Sequence, residues 1–471
     1  MSPPLHFDPE RFFPADPGVR ATAARLFSVV ERLPIVSPHG HTDPAWFAAN
    51  EPFDDAVSLL LWPDHYLLRM LVSAGISLES LGVPRSDAVP VETDRRAIWR
   101  RFAENYRLFR GTPSRLWLDH VFAQVFELSE RLDQDSADRY FDAIKAALST
   151  PRFRPRALFE RFRIEVLATT EGALDSLRQH RAIAASGWHG RVITTFRPDD
   201  IVDPQRPDFR ENLAILSAIT DEDTAHWDGY LAAIRKRRAF FRAHGATATD
   251  HGHPTALTAD LSPSAARALY GRAISGSIGL ADAELFRAQM LTEMARMSCE
   301  DGMVMQLHPG AWRNHNPLLF ERFGRDKGGD VPMQTNFTAA LKPLLDLFGM
   351  RRDFTLILFT LDESTYSREL APLAGHYPCL RIGPAWWFHD APEAMLRYRR
   401  ATTETAGFYN TCGFNDDTRA FFSIPARHDL ARRVDCGYLA ELVASHRLEE
   451  DEAADVAVDL AYRLPKGVYR L

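Results

Sequence analysis

The chain has 471 residues, of which 45% are hydrophobic and 25% are charged, as is ordinary for a globular protein. Its formal net charge is −7, and it lacks any block of about five or six like charges, which argues against nucleic-acid or polybasic membrane binding. The N-terminus does not have the pattern of a signal peptide, and apolar runs such as Val57–Trp62 are too short to cross a bilayer. The four cysteines lack CxxC spacing. Together these features predict a soluble cytoplasmic protein with reduced thiols.

Short apolar segments rich in β-branched residues recur along the chain, and most are separated by stretches with helical periodicity. A strand followed by a helix, repeated, predicts a parallel α/β sheet, and eight repeats predict a closed (β/α)₈ TIM-like barrel. The fourth segment fits a loop nearly as well. The predicted strands are 35–41, 164–170, 192–196, 246–250, 303–308, 354–360, 379–383 and 409–415.

The first two predicted strands are separated by far more residues than one crossover helix needs. This stretch contains helical patterns such as Ser58–Val72, Arg95–Phe109 and Arg139–Leu148. We therefore expect an all-helical insertion after the first strand, at residues 46–162. The barrel would then be discontinuous, with residues 1–45 and 163–471, and its length falls inside the range known for this fold.

Two histidines, His39 and His41, end the first predicted strand on either side of Gly40. Alternate residues of a strand face the same side, so both imidazoles are expected at the mouth of the barrel. Imidazole is a common ligand of zinc and similar divalent ions, and the active sites of such barrels lie at the C-terminal ends of their strands. The alternative is a pair of surface histidines near a Pro-rich turn.

Two acids, Asp416 and Asp417, follow the eighth predicted strand. A carboxylate at this place could complete a metal site from across the barrel or act as a general base beside it. The alternative is that one of them only caps the N-terminus of the next helix, which is a frequent role of aspartate.

Further polar groups lie at or just after the ends of other predicted strands: Arg197, Asp250 with His251, His308 and Arg313. A lone histidine in such a place is more often structural than a ligand, but several such groups at one end of successive strands point to a common site. The planar fork of arginine binds a carboxylate through two parallel charge-assisted hydrogen bonds. These residues therefore indicate a small, anionic, oxygen-rich substrate.

Aromatic residues add to this pattern. Trp386 and Trp387 follow the seventh predicted strand, where one is expected to pack in the core and the other could lie against a sugar ring. His65 and Tyr66 lie early in the helical insertion, from where they could fold over the mouth of the barrel.

Taken together and in this order, the motifs resemble those of the uronate isomerases, also called glucuronate isomerases, of the amidohydrolase superfamily. The resemblance covers nearly the whole chain, and DHYLLR, QLH with the following RN, and WWF are its specific parts. The matching segments are HGHTDP at 39–44, DHYLLR at 64–69, TFRPD at 195–199, DHG at 250–252, MQLHPGAWRN at 305–314, WWF at 386–388 and DDTRAFFS at 416–423.

The resemblance implies an amidohydrolase-type barrel that interconverts an aldohexuronate and its keto isomer, such as D-glucuronate and D-fructuronate or D-galacturonate and D-tagaturonate. It implies one divalent metal ion, with Zn²⁺ expected, and a small-molecule hexuronate as the binding partner, and it leaves a homo-oligomer open. The implied metal ligands are His39, His41 and Asp417; the implied proton-transfer residues are Asp417, Tyr66 and His308; the implied substrate-binding residues are Arg197, Arg313, Arg419, Trp386 and His65.

Two rival functions remain open at this point. A metal-dependent hydrolase could use the same barrel, but most binuclear hydrolases of this superfamily carry a carbamylated lysine after the fourth strand, where this chain has Asp250 and His251. One metal at most is therefore expected. A carbohydrate-binding or structural zinc protein is the second rival, but it would need neither a base nor several arginines in one mouth.

Overall fold

The computed structural model of the protein describes residues 2–471. In this part of the chain one sheet has seven strands in the order β1-β2-β3-β4-β5-β8-β9, and every neighbouring pair is parallel. Two short strands, β6 and β7, form a separate antiparallel hairpin. The bounds are β1 Ile35–Ser37, β2 Ile164–Gly172, β3 Arg191–Arg197, β4 Ala248–His251, β5 Val304–Leu307, β6 Ala311–Trp312, β7 Val331–Pro332, β8 Leu356–Leu358 and β9 Leu380–Ile382.

Helices cover the outside of this sheet and fill the long connection between β1 and β2. The α-helices are α1 Pro17–Val30, α2 Pro44–Ala49, α3 His65–Ser73, α4 Arg95–Asn105, α5 Pro113–His120, α6 Ala137–Leu148, α7 Pro155–Arg161, α8 Arg178–Ala185, α9 Asp199–Val202, α10 Phe209–Thr220, α11 Trp227–Ala243, α12 Pro263–Ser275, α13 Leu280–Asp301, α14 Pro317–Phe323, α15 Lys342–Phe348, α16 Ala371–Ala374, α17 Pro392–Ala406, α18 Ile424–Ala444, α19 Glu450–Val458 and α20 Leu464–Val468. Short 3₁₀ and π turns lie at 57–61, 79–81, 106–109, 121–125, 151–153, 366–370, 387–389, 421–423 and 459–463.

The predicted α/β barrel is confirmed, and the first correction to its strands concerns the last of them. Seven of the predicted strands form the parallel sheet, whereas the eighth, 409–415, contributes a single parallel bridge between Ile382 and Thr411. Its backbone turns into the left-handed region at Gly413, with φ +75°, which ends the extended geometry that a longer ladder requires. The ring is continued by a hydrogen bond of 3.0 Å from the amide of His41 to the carbonyl of Thr418.

Four of the strands, β1, β5, β8 and β9, also end earlier than predicted, and two of these ends affect site residues. β1 ends at Ser37, before His39 and His41, and β5 ends at Leu307, before His308. We expected both histidines at the mouth of the barrel because alternate residues of a strand face the same side. That reason is wrong, since neither histidine is part of the strand. They stand on the turn that follows the strand, and Pro38, which has no amide hydrogen to donate, lies directly before them.

The connection between β1 and β2 is helical, as predicted, and contains α2 to α7. Its apolar residues form a large core that includes Trp99, Phe102 and Tyr106, all fully buried, and this core continues onto Ile164 of β2 and Phe421 near α18. The division of the chain into a barrel domain and an insertion domain at residues 46–162 stays a prediction.

Two further expectations concern the thiols and the membrane. The four cysteines are free thiols, and Cys379, Cys412 and Cys436 are buried, in agreement with the expected reduced state. Within residues 2–471, no helix combines the length and apolarity that crossing a bilayer would require.

The turn at Gly413 provides a test of the fold, because this turn leads into Asp416 and Asp417. A Cβ atom at position 413 would lie 2.8 Å from the carbonyl oxygen of Leu460 and would also collide with Pro465. Gly407 has a positive φ as well, but a Cβ there would meet nothing within 4 Å. We expect Gly407→Ala to cost about 1–3 kcal/mol from backbone strain, and Gly413→Ala to cost about 1–3 kcal/mol more from overpacking.

The measurement is the free energy of unfolding from urea titration of both variants and the wild type. Equal losses in the two variants would contradict the close packing of this turn against α20.

Candidate active site

A cavity opens at the C-terminal ends of the strands. There the chain after β1, β3 and β9 meets α3 of the helical insertion and the chain that follows residues 409–415. We call residues 409–415 the eighth strand position, which is distinct from β8. The cavity brings together predicted residues from distant parts of the chain, with the exception of His39 and His308, which lie behind its wall. Its lining residues are His41, Pro63, Asp64, His65, Tyr66, Arg197, Arg313, Asp326, Trp386, Trp387, Asp417, Thr418, Arg419, Ala420 and Arg427.

Three predicted metal ligands converge on one point at the wall of this cavity, with His41 and Asp417 on the cavity side and His39 behind them. Oδ1 of Asp417 lies 3.5 Å from Nε2 of His39 and 3.1 Å from Nε2 of His41. Neither of these two His–Asp contacts has hydrogen-bond geometry. Among residues 2–471, the buried Oδ1 atom of Asp417 has no hydrogen-bond partner. Buried polar atoms are normally hydrogen-bonded, so three donor atoms that face each other without bonding fit a shared cation. His39, His41 and Asp417 can therefore hold a metal ion.

The backbone around Asp417 is built to aim its carboxylate inward. Asp417 has φ +38°, an uncommon conformation for a residue other than glycine and one that is frequent at functional sites. Asp416 points the other way and binds Nε2 of the buried His428 at 3.0 Å. Neither acid caps the following helix, because α18 begins only at Ile424 after Ser423. The capping alternative is therefore wrong for both residues.

The protonation states of this cluster suit metal binding. Burial lowers the pKa of His39 to about 4, so its imidazole is neutral and has a free lone pair at neutral pH. Burial alone would raise the pKa of Asp417, but the neighbouring His39 and His41 outweigh it and hold this pKa well below its usual value. The site thus offers two imidazoles and one carboxylate anion.

A second buried group lies directly behind His39. His308 stacks on His39 with ring centroids 4.9 Å apart, and its Nδ1 atom lies 2.7 Å from Oδ1 of Asp250. Burial would raise the pKa of Asp250, but Arg197 and His308 hold it well below its usual value, so Asp250 is an anion. Nε2 of His308 has no hydrogen-bond partner within the described chain. The aspartate thus fixes the orientation of an imidazole whose second nitrogen is free.

The three predicted substrate arginines line the cavity, and each is held by an acid of the protein. Arg197 binds Asp199 at 2.7 Å, Arg313 binds Asp330 at 2.9 Å, and Arg419 binds Asp326 at 3.1 Å. Asp326 and Asp330 belong to the loop between α14 and β7, while Arg419 follows the eighth strand position. An anionic ligand would compete with these acids for the guanidinium groups.

Two residues of the insertion reach the same cavity. Asp64 caps α3 by accepting hydrogen bonds from the amides of Tyr66 and Leu67, which places His65 and Tyr66 at the end of the helix that faces the barrel. The two rings stack with centroids 4.7 Å apart. Burial lowers the pKa of His65 to about 3, and burial with the nearby Asp390 raises that of Tyr66 well above 10. At neutral pH the cavity therefore faces a neutral imidazole and a neutral phenol.

The two tryptophans after β9 are not divided into one core residue and one cavity residue as expected, and contact of either with a sugar ring stays a prediction. Trp386 and Trp387 are both buried, and both line the cavity. Trp386 packs against His308 with centroids 4.8 Å apart, whereas Trp387 contacts His65 at 5.3 Å and lies under the guanidinium of Arg313 at 5.0 Å. His251 is fully buried and faces Thr249 at 3.0 Å, as the structural alternative for a lone histidine expects.

Several acids of the site did not follow from the sequence. Asp326 and Asp330 lie in the loop before the short strand β7, which is not part of the parallel sheet, so the ends of the predicted strands give no hint of them. Asp390 lies just beyond the WWF segment and binds the hydroxyl of Tyr66 at 2.9 Å. Two features of the sequence could have pointed to these acids. They are the glycines around Asp326 and the position of Asp390 close to the WWF motif.

This architecture defines an amidohydrolase-type barrel, with two histidines after the first strand facing an aspartate after the eighth strand position. The sequence model of the glucuronate isomerase family matches residues 17–469. A uronate isomerase of Xanthomonas axonopodis pv. citri is 64% identical over 467 residues, which are 99% of each chain.

Solved structures agree with this match. The crystal structure of glucuronate isomerase from Caulobacter crescentus is 58% identical, has a TM-score of 0.98, and is matched over 99% of this chain and 97% of that one. The uronate isomerase from Thermotoga maritima is 26% identical, with a TM-score of 0.91, and is matched over 98% of this chain and 99% of that one. The chain belongs to the glucuronate isomerase family, also called the uronate isomerase family.

The convergence of His39, His41 and Asp417 predicts loss of metal when the imidazoles are removed. The double variant His39→Ala/His41→Ala keeps only one of the three donor groups, so we expect stoichiometric metal in the wild type and almost none in the variant, measured by elemental mass spectrometry. The control is His226→Ala/His376→Ala, which removes two exposed histidines and should keep the metal. Full metal content in the His39/His41 variant would refute this ligand set.

Proposed function

We propose that this protein is a uronate isomerase, which interconverts an aldohexuronate and its ketohexuronate. D-Glucuronate with D-fructuronate and D-galacturonate with D-tagaturonate are the expected pairs. The observation that carries the proposal is the cavity itself, where Arg197, Arg313 and Arg419 stand beside the His39, His41 and Asp417 cluster. Membership in the family and the names of its relatives support the same reaction.

The arginines recognise the substrate's carboxylate. A guanidinium group binds a carboxylate through two parallel charge-assisted hydrogen bonds, which neutral hexoses cannot accept in the same way. Arg419 and Arg197 are the leading candidates. Arg419 and its partner Asp326 are 38% and 37% exposed, so this ion pair is open to competition from solvent, whereas Asp330, the partner of Arg313, is only 8% exposed. Trp386 and His65 complete the binding surface as flat, uncharged groups against which a sugar chain can lie.

One divalent ion, with Zn²⁺ the expected one, is held by His39, His41 and Asp417 in this proposal. Two imidazoles and a carboxylate are a ligand set that suits zinc and leaves a position open for substrate. When bound, such an ion supplies positive charge next to the oxygens of the substrate and so favours the enediolate that develops during isomerisation.

The proton moves from C2 to C1 through residues of the cavity wall. Tyr66 and Asp417 both line the cavity. Asp417 is also a proposed metal ligand, so Tyr66 is the wall residue whose proton exchange would not compete with metal binding. His308 lies behind His39, and Asp250 holds its orientation. The proposed proton-transfer groups are therefore Tyr66, Asp417 and His308. Asp417 is the alternative to Tyr66 as the base.

A metal-dependent hydrolase is the alternative reading of such a barrel, and the family match argues against it. The end of β4 carries Asp250 and His251 and has no lysine to bridge two metals. The proposal further includes a small-molecule substrate, a cytoplasmic location in keeping with the free thiols, and an oligomeric state left open.

The test of this function is the formation of ketose from glucuronate and from galacturonate by the purified, metal-loaded protein. Arg419→Met removes one partner of a charge-assisted pair, which typically costs about 1.5–3 kcal/mol, or roughly ten- to more than a hundredfold in kcat/KM. We expect a loss of this size on uronates, and hardly any turnover of glucose or galactose by the wild type.

The matched control is Arg267→Met, which removes an exposed arginine paired with Asp228 far from the cavity and should leave kcat/KM unchanged. Comparable activity of the wild type on glucose and glucuronate would show that carboxylate recognition is wrong. Absence of ketose from either uronate would overturn the function itself.

A further inference from the structure

The hydroxyl group of Tyr66 forms a hydrogen bond with Asp390, a buried acid that does not line the cavity. Oη of Tyr66 donates to Oδ2 of Asp390 at 2.9 Å, with the carbonyl oxygen of Trp387 as a second acceptor at 3.3 Å. Asp390 is buried, lies between the turn at 387–389 and α17, and is not among the residues that line the cavity. Any effect of Asp390 on a ligand must therefore pass through Tyr66.

Asp390 is itself held by a buried cation. Nη1 of Arg427, on α18, donates to the same Oδ2 atom at 2.6 Å, and its guanidinium stacks on the ring of Trp117 at 3.6 Å. Nη1 is also 3.4 Å from the carbonyl of Asp416. The carboxylate and the arginine are thus fixed by α18 and α5, while Tyr66 comes from α3.

This arrangement solves a chemical problem of the proposed reaction. The pKa of Tyr66 is raised well above 10 by burial and by Asp390, so a free tyrosinate is not available as a base at neutral pH. Because the hydroxyl donates its hydrogen to Asp390, the lone pairs of its oxygen remain able to accept a proton from a ligand in the cavity. Tyr66 can then receive one proton only if it gives up another.

We propose that Asp390 is the acceptor of the phenolic proton, so that Tyr66 and Asp390 act as a two-step proton relay for the substrate. This inference rests on the proposed isomerisation. As the C2–H bond breaks, its proton bonds to the oxygen of Tyr66, the O–H bond of Tyr66 toward Asp390 breaks, and an O–H bond forms at Oδ2. The electron pair of the C2–H bond forms the C1=C2 bond of the enediolate, and the hydroxyl proton on O2 of the substrate then passes to O1, which moves the carbonyl position from C1 to C2. Proton delivery to C1 reverses the relay, and both residues return to their starting states.

The properties of Asp390 suit this task. Burial raises its pKa to about 6, against the opposing effect of Arg427, so the carboxylate is ionised at neutral pH yet accepts a proton readily. The charged groups that face it are Arg427 on α18 and, farther away, Asp417 after the eighth strand position. Asp390 is a positioning and proton-accepting residue that works through Tyr66, without touching the substrate.

The first test is the variant Asp390→Asn, which keeps the size of the side chain but accepts a proton poorly. A general acid–base group is worth about 10²–10⁴-fold in rate. We expect kcat on the preferred uronate to fall by at least about a hundredfold while KM changes by less than about threefold. Metal content and melting temperature are measured alongside, to show that the variant is folded.

The double variant Tyr66→Phe/Asp390→Asn separates the relay from a purely structural effect. Residues that act as one unit are strongly non-additive, so the double variant should be no slower than Tyr66→Phe alone. The matched control is Asp435→Asn, which breaks another buried arginine–aspartate pair, with Arg399, and should keep its kcat. Independent, additive losses from Tyr66→Phe and Asp390→Asn, or wild-type kcat in Asp390→Asn, would overturn the relay.

A second measurement does not depend on the stability of any Asp390 variant. Replacing Tyr66 with 3-fluorotyrosine makes the phenol more acidic. If a tyrosinate had to form first, the ascending limb of the kcat–pH profile would move to lower pH, and that result would refute the relay. The relay, in which the phenol never ionises fully, predicts that the limb keeps its position. Ketose formation by the wild type is the separate test of the isomerase function, so the two failures are distinguishable.

Discussion

The site depends on one constraint, which is that a buried carboxylate must be held between two imidazoles at the seam where the barrel closes. Asp417 comes from after the eighth strand position and His39 and His41 from after β1, so the donor set exists only if both ends of the barrel meet. The hydrogen bond from the amide of His41 to the carbonyl of Thr418 locks this seam. A buried, ionised carboxylate without a partner is costly, and a shared cation removes that cost.

The remaining charges of the mouth are arranged around this cluster in pairs. Each arginine that faces the cavity is matched by an acid of the protein, and Asp326 and Asp330 both come from one loop after α14. Such pairs keep the guanidinium groups in place and compensate their charge before a ligand arrives. The helical insertion closes the other side with His65 and Tyr66, which ties its large apolar core to the chemistry of the barrel.

The sequence predicted the barrel and the residues around its mouth better than it predicted their local geometry. The apolar strand segments and the long helical connection could be recognised because their periodicities are local properties of the chain. The end of β1 before the histidines and the reduction of the eighth strand to one bridge at Thr411 could not, because they depend on Pro38 and Gly413 within the closed ring. Asp326, Asp330 and Asp390 were missed because only the fold brings them to the arginines and to Tyr66.

The most direct test of the central claim, that the residues of this cavity isomerise a hexuronate by proton transfer, is the reaction in D₂O. The purified protein is incubated with glucuronate or galacturonate, the ketose is isolated, and deuterium at C1 is measured by NMR against a sample without protein. A base that holds the substrate proton exchanges it at least partly with solvent, so we predict deuterium at C1, on one face only. A ketose that forms without any deuterium at C1, even after prolonged incubation, would contradict proton transfer and favour a direct hydride shift.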